Sequence, residues 1–166
     1  MSRSAIGTSF AVVALTATAL VGSARSASAV DQEFTLPAGT GCEFALHVEA
    51  VGGNQQVRPF LDGKGNPVTL IEAGTGTQVT VTNVSNEKEL RFRSNGVVTR
   101  TVFHEDGTRT VTTTGHLILI LFPTDKPAGP STTLIVGRVV YDSTPNDDFT
   151  VQSITGRTTD LCALLT

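Results

Sequence analysis

Residues 116–122 read HLILILF, and this stretch decides the fold of the chain. Successive side chains of a strand point to opposite faces of its sheet, so an uninterrupted apolar run places apolar groups on both faces. A strand of that kind lies inside a sheet and is covered by protein on each side. The run from Leu117 to Phe122 has the length of one strand and is too short to cross a membrane. The stretch therefore predicts a central strand in a layered β-protein.

Short β-rich runs separated by turn residues fill the rest of the chain. Residues 41–51 alternate between apolar and polar side chains, which is typical of a strand with one buried face. Asn95-Gly96 and Asp106-Gly107 are hairpin dipeptides, and they predict a three-stranded meander over residues 88–114. The predicted strands are 41–51, 57–61, 67–72, 77–83, 88–94, 97–104, 108–114, 116–122, 132–141 and 149–155. This spacing predicts an all-β fold, an antiparallel sandwich of roughly ten strands, with an up-and-down β-barrel as the alternative.

The first 29 residues are typical of a secretory signal peptide. Arg3 supplies the positive charge at the start, residues 10–21 form a short apolar run, and Ala27-Ser28-Ala29 supplies the small residues of a cleavage site. The sequence therefore predicts cleavage after Ala29 and a single secreted, extracellular domain over residues 30–166. No later run is long enough for a membrane span, so none is predicted.

The two cysteines, Cys42 and Cys162, both lie in the predicted secreted domain. Export places them in an oxidising compartment, where an even number of cysteines favours pairing. The sequence therefore predicts a Cys42–Cys162 disulfide near the two ends of the domain.

Charge and aromatic content limit the predicted partners. The formal net charge is −3, and removal of residues 1–29 lowers it further because Arg3 and Arg25 are lost. Phosphate binding needs clustered positive charge, so nucleic acid and anionic membranes are not predicted partners. Trp is absent and Tyr141 is the only tyrosine, which leaves few rings for stacking against sugars or bases.

The sequence predicts no catalytic set, no cofactor and no metal site. His47, His104 and His116 lack the short spacing of metal ligands. Acidic residues such as Glu43 and Glu49 fall on polar faces or in turns, where solvated charge is ordinary. The Gly-x-Ser-x-Gly pattern of serine hydrolases is absent as well.

Arg138 and Arg157 each follow a glycine late in the chain. Arg138 shares a strand face with Val136 and Val140, which predicts partial burial. A buried arginine needs a carboxylate, so we expect a structural ion pair between these arginines and Asp160. A ligand-binding arginine is the alternative.

Several motifs together resemble a family of secreted actinobacterial proteins of unknown function. They are the signal peptide, GCEFALHVE at 41–49, HLILILFP at 116–123, GRVVYD at 137–142 and TGRTTDLCALL at 155–165. The resemblance implies export and a shared β domain, and it implies no activity, ligand or site residue.

The sequence favours a non-catalytic secreted β-sandwich that binds a cell-envelope or extracellular ligand, or that serves structurally. Two alternatives stay open at this point. One is an extracellular hydrolase that uses carboxylates or a histidine-bound metal. The other is a β-barrel carrier of a small apolar ligand.

Overall fold

A computed structural model describes residues 32–93 and 97–166, and these residues form ten strands and one short helix. The predicted signal peptide at 1–29 and the dipeptide Asn95-Gly96 lie outside the described residues. The elements are β1 (Gln32–Leu36), β2 (Leu46–Val51), β3 (Asn54–Leu61), β4 (Pro67–Thr75), β5 (Gln78–Asn83), β6 (Glu89–Arg93), β7 (Val98–Phe103), β8 (Arg109–Leu121), β9 (Ser131–Ser143), β10 (Phe149–Asp160) and α1 (Leu161–Leu165).

The described strands form two antiparallel sheets. The four-stranded sheet has the order β1-β2-β5-β6, and the six-stranded sheet has the order β10-β9-β8-β7-β4-β3. Neither sheet closes on itself within the described residues, so the predicted sandwich is confirmed and the barrel alternative is wrong. Among these residues, no helix has the length and apolar character that crossing a membrane requires.

The predicted meander is wrong in its first half. β6 pairs with β5 in the four-stranded sheet, whereas β7 pairs with β4 and β8 in the six-stranded sheet. A hairpin dipeptide such as Asn95-Gly96 marks a local change of direction, and it does not determine whether the flanking strands pair. The second half is confirmed, because β7 and β8 are adjacent and the Gly107 amide donates to the His104 carbonyl at 3.1 Å.

The strand boundaries also differ from the prediction, most clearly at two places. Residues 41–44 form a turn ahead of β2, and β1 precedes them as a further strand. The predicted strands 108–114 and 116–122 are one continuous strand, β8, which passes through Gly115 without a break. The total of ten strands within the described residues thus agrees with the prediction although several boundaries do not.

One apolar core lies between the two sheets, and we call it the inter-sheet core. Alternate residues of β1, β2 and β5 point into it, as a period of two requires. From the six-stranded sheet, one face of β8 supplies Ile118 and Ile120. The buried members of this core are Leu36, Cys42, Leu46, Val48, Val81, Leu161 and Leu165.

The two ends of the domain meet at the inter-sheet core. The predicted disulfide is confirmed: Cys42 and Cys162 are bonded, with their Cα atoms 5.6 Å apart. Asp160 caps the start of α1 by accepting a hydrogen bond from the Ala163 amide at 3.0 Å. At the other end of α1, the Asn83 side chain donates to the Leu165 carbonyl at 3.0 Å. The C-terminal turn is therefore fastened covalently and by hydrogen bonds.

A second apolar core covers the other face of β8, and we call it the folded-sheet core. Leu119 and Leu121 are buried there with Ile135 and Val139 of β9. The stretch 116–122 is thus covered on both faces, as its sequence predicts. Partly buried side chains pack against this core, namely Leu117, Tyr141, Phe149 and Val151.

The folded-sheet core forms because the long strands β8, β9 and β10 fold back on themselves. Phe149 opens β10 and lies in one row with Arg109 at the start of β8, with β9 between them, whereas Phe122 follows the end of β8. Asp125 nevertheless joins them: its carboxylate accepts from the Phe122 amide at 2.6 Å and from the Phe149 amide at 2.7 Å. The Lys126 amide also donates to the Phe149 carbonyl at 2.8 Å. Opposite ends of the long strands therefore come together.

The strands β8, β9 and β10 fold back at a row of glycines. Gly115, Gly137 and Gly156 lie side by side on β8, β9 and β10. A Cβ atom on Gly137 would stand 2.0 Å from the Thr155 carbonyl oxygen, so the backbones approach more closely here than a side chain allows. On one side of this row lies the inner arm of the sheet, which packs on the four-stranded sheet. On the other side lies the outer arm, which β7, β4 and β3 extend, and its outward face is open to solvent.

Candidate binding face

The outward face of the outer arm carries rows of side chains that cross the sheet. Arg58, Ile71, Arg100, Thr112 and Val140 stand opposite one another on β3, β4, β7, β8 and β9. Residues that are directly opposite in a sheet project from the same face, so this row shares one side. The next row holds Gln56, Ala73, Val98, Thr114, Arg138 and Thr155.

Three arginines are exposed on this face, and we call the surface they form the arginine face. They are Arg58, Arg100 and Arg138. Arg157 is also exposed, but it follows Gly156 on β10 and so lies on the inner arm, beyond the row of glycines at which the sheet folds. The ion pairs found among the described residues involve none of these side chains. Each guanidinium is thus available to a ligand.

The three arginines follow an oblique line across the strands. Strand separations of about 4.8 Å and a rise of about 3.3 Å per residue place Arg58 about 10 Å from Arg100. The same geometry gives about 12 Å from Arg100 to Arg138. The line therefore spans about 20 Å, with one cation in roughly every 10 Å.

One carboxylate, Asp142, shares this face, and it is already engaged. Its oxygens accept from the Thr110 hydroxyl at 2.7 Å and from the Gln152 side-chain amide at 2.8 Å. The Thr110 hydroxyl also lies 2.9 Å from His104 Nε2. Asp142 is held in this network and does not neutralise the arginines, so the face is locally positive on a chain whose net charge is negative.

A shallow apolar depression adjoins the first two arginines. Phe60, Thr69, Ile71 and Arg100 line it. Phe60 is 44% exposed, although it is a large aromatic residue on an edge strand. The guanidinium of Arg100 and the apolar surface of Phe60 and Ile71 therefore lie side by side at this end of the arginine face.

The outer face of the four-stranded sheet has a different character. Glu33 and Glu49 lie opposite each other on β1 and β2. His47 stands beside them, with Nδ1 3.0 Å from the Thr35 hydroxyl and Nε2 3.6 Å from the Glu33 carboxylate. Both ring nitrogens of His47 thus have partners on this sheet.

The predicted ion pair with Asp160 does not form. Arg138 lies opposite Thr114 and Thr155, while Asp160 lies opposite Thr133 and caps α1. Arg138 does share a face with Val136 and Val140, as predicted, but the face is uncovered at its position and the side chain is exposed. An exposed guanidinium needs no structural carboxylate.

The three histidines lie apart. His47 is on the four-stranded sheet, His104 follows β7, and His116 is exposed on β8. No group of three or more His, Cys, Asp or Glu side chains among residues 32–93 and 97–166 is arranged to hold a metal ion.

Ionisable groups also lie on the inward face of the outer arm. Glu72 is half-buried, and burial raises the pKa of its carboxyl group above the usual value. Burial likewise raises the pKa of the Tyr141 hydroxyl. Nearby, Arg109 forms an ion pair with Asp147 and donates to the Ser143 hydroxyl at 3.0 Å. These groups face the protein interior and not the arginine face.

The function proposed below therefore rests on the geometry of these described residues. The resemblance to secreted actinobacterial proteins stays a prediction. Comparison with known protein families, with characterised proteins and with solved structures finds no match to this chain.

Proposed function

We propose that this protein is a non-catalytic, exported module that binds an acidic polymer at the cell exterior through the arginine face. One observation carries the proposal: Arg58, Arg100 and Arg138 project from one open sheet face and form no ion pair within the described residues. Clustered charge of one sign attracts an oppositely charged ligand even when the net charge of the protein has the other sign.

Arginine is suited to this role. Its planar guanidinium donates two parallel hydrogen bonds to a carboxylate, sulfate or phosphate group. The arginines stand on paired strands of one sheet, so their spacing is set by the backbone. A surface built on strands holds such groups in a more fixed arrangement than a loop does.

The location in the proposal rests on two features. The first 29 residues are typical of a secretory signal peptide. The Cys42–Cys162 disulfide is compatible with an oxidising compartment outside the cytosol. Both support export, and acidic polymers are abundant at cell exteriors.

The alternatives have less support. A carrier needs an apolar space, but Ile135 and Val139 are 0% exposed inside the folded sheet and pack against other side chains. A hydrolase that used His47 would have to do so on an exposed strand face, where Thr35 and Glu33 already occupy the ring nitrogens.

The test is a binding panel with the purified protein. Polyglutamate, hyaluronan, polyphosphate and neutral dextran are immobilised, and binding is measured by interferometry at low and high salt. We expect at least one acidic polymer to bind, dextran not to bind, and salt to weaken the binding because exposed charges are screened.

A matched pair of variants locates the surface. Arg100→Gln/Arg138→Gln should weaken binding by about four- to twenty-fivefold, at roughly two- to fivefold for each exposed ion pair. Arg93→Gln removes an exposed arginine from the other sheet and should leave binding unchanged. If no acidic polymer binds, or if both variants weaken binding equally, the proposal is refuted.

A further inference from the structure

We infer that the ligand of the arginine face is an extended acidic polysaccharide with a carboxylate on about every second sugar, lying obliquely across the strands from Arg58 to Arg138. This inference rests on the proposed function and specifies the class of polymer. It follows from the spacing of the cations, from the groups between them and from the openness of the surface.

The spacing of the arginines matches widely separated anions. One cation in roughly every 10 Å along a line of about 20 Å is a sparse array. Double-stranded DNA carries one charge in about every 1.7 Å of its axis, which is several times denser. A polysaccharide in which acidic and neutral sugars alternate presents its carboxylates at an interval close to that of the arginines.

Hydroxyl groups fill the space between the arginines. Thr112 lies between Arg100 and Val140 in one row, and Thr114 lies beside Arg138 in the next. Thr155 stands on the other side of Arg138. Hydroxyls both donate and accept hydrogen bonds, so they complement the hydroxyl groups of the neutral sugars between two carboxylates.

The apolar depression offers a place for the apolar side of a sugar ring at one end of the line. Phe60 and Ile71 line it beside Arg100. Nucleic acid single strands are held instead by a series of aromatic platforms along a basic groove. Phe60 itself lies in the row that contains Asp142. It is the one aromatic side chain among the described residues of that row and of the two rows that contain Arg58, Arg100 and Arg138.

The open surface also favours a polymer over a compact ligand. The row from Arg58 to Val140 crosses five strands without a covering element. A ligand on such a surface makes few contacts at each position and gains affinity from its length. Affinity should therefore depend on how many arginines the ligand reaches.

The experiment measures the dependence on length by calorimetry with hyaluronan oligosaccharides, in which every second sugar carries a carboxylate. A tetrasaccharide reaches about two arginines, and a hexasaccharide reaches the whole line of about 20 Å. We expect affinity to rise about two- to fivefold from tetrasaccharide to hexasaccharide, since one ion pair is added. It should then change little from hexasaccharide to decasaccharide.

Variants at the two ends of the line test its direction. Arg58→Gln and Arg138→Gln should each weaken hexasaccharide binding about two- to fivefold, while Arg93→Gln should not. Thermal unfolding of each variant shows that the fold is retained. Loss of binding from Arg93→Gln, or no loss from either end variant, overturns the inference.

The outcomes also separate this inference from the proposed function. If polyglutamate or polyphosphate binds through the arginine face and hyaluronan does not, the class of polymer is wrong and the proposed function stands. If affinity does not depend on the length of the oligosaccharide, the extended mode is wrong. If none of the acidic polymers binds, both proposals fail together.

Discussion

Gly115, Gly137 and Gly156 stand side by side on three strands, and their lack of side chains lets the six-stranded sheet fold on itself. A Cβ atom at Gly137 would lie 2.0 Å from a backbone oxygen of β10, which is much closer than contact distance. The backbone cannot retreat without separating the paired strands. These residues thus determine where the folded-sheet core can form.

Substitution of the central glycine tests this role. Gly137→Ala should lower the free energy of unfolding by about 2–3 kcal/mol, because overpacking displaces the backbone of β10. Urea unfolding followed by circular dichroism measures the change. Gly63→Ala is the control, since a Cβ at Gly63 meets nothing within 4 Å. It should change stability by no more than about 0.5 kcal/mol, and equal effects of the two substitutions would contradict the role of the glycine row.

Glu72 makes a pH-dependent contribution to stability. Its pKa is raised by burial from the usual value of 4.5, so the folded protein binds its proton more tightly than the unfolded chain does. The resulting stabilisation is fully present below pH 4.5 and is lost as the pH rises through the raised pKa. Glu72→Gln should therefore raise the melting temperature at pH 7 and change it little at pH 4.

The carboxylates of Asp62 and Asp106 lie in turns, and their pKa values are lowered where that of Glu72 is raised, so they serve as the comparison for Glu72. The pKa of Asp62 is lowered chiefly by the hydrogen bond from the Asn66 amide, and that of Asp106 chiefly by the Thr108 hydroxyl. Their stabilisation is present above the usual value of 3.8 and is lost as the pH falls through the lowered pKa. A Glu72→Gln variant that is less stable than the parent at pH 7 would contradict the burial argument.

At the scale of elements, the sequence predicts strands well and their partners less well. The stretch 116–122 was predicted to be covered on both faces, and it supplies Ile118 and Ile120 to one core and Leu119 and Leu121 to the other. Hydrophobic periodicity is a property of a single strand, so it can be read along the chain. Pairing depends on strands that are distant in sequence, and this is why β6 and β7 were wrongly predicted to pair.

The loop that joins β8 to β9 holds the folded sheet closed. Asp125 is 3% exposed, and its two oxygens accept from the backbone amides of Phe122 and Phe149. Asp125→Asn replaces one acceptor by a donor that faces an amide hydrogen. It should lower the free energy of unfolding by about 2–3 kcal/mol, as measured by urea unfolding, because bonds to a charged group are lost in a buried place.

Asp62→Asn is the matched control for the loop. Asp62 also accepts from two backbone amides, those of Lys64 and Asn66, but it does so in an exposed turn. Its substitution should cost less than about 1 kcal/mol, since water can replace the lost bonds. If Asp62→Asn is as destabilising as Asp125→Asn, the hydrogen bonds of Asp125 do not hold the folded sheet closed.

At the scale of the whole molecule, one covalent bond connects the two ends of the domain. Cys42 and Cys162 are 120 positions apart in sequence, so their bond restricts most of the unfolded chain. Cys42→Ala/Cys162→Ala should lower the free energy of unfolding by about 4–5 kcal/mol in the chain-entropy treatment. Denaturant unfolding of the parent and the double variant measures this, and two titratable thiols in the native parent would contradict the bond itself.

The candidate site was only partly predictable from the sequence. Arg138 and Arg157 stand out because each follows a glycine, and a ligand-binding role is the alternative to the ion pair. Of these two, only Arg138 lies on the arginine face. Arg58 and Arg100 gave no local signal, because β4 lies between their strands and brings them into one row. The net charge concealed the cluster, since charge counted along a chain does not show which residues share a face.

Side-chain NMR shows residue by residue whether the arginine face binds an acidic polymer. The Nε–Hε signals of the arginines are recorded while the protein is titrated with hyaluronan hexasaccharide. We predict that the signals of Arg58, Arg100 and Arg138 shift together and saturate, while those of Arg91 and Arg93 on the other sheet stay in place. Shifts confined to Arg91 and Arg93, or no shift in any arginine, would contradict the account.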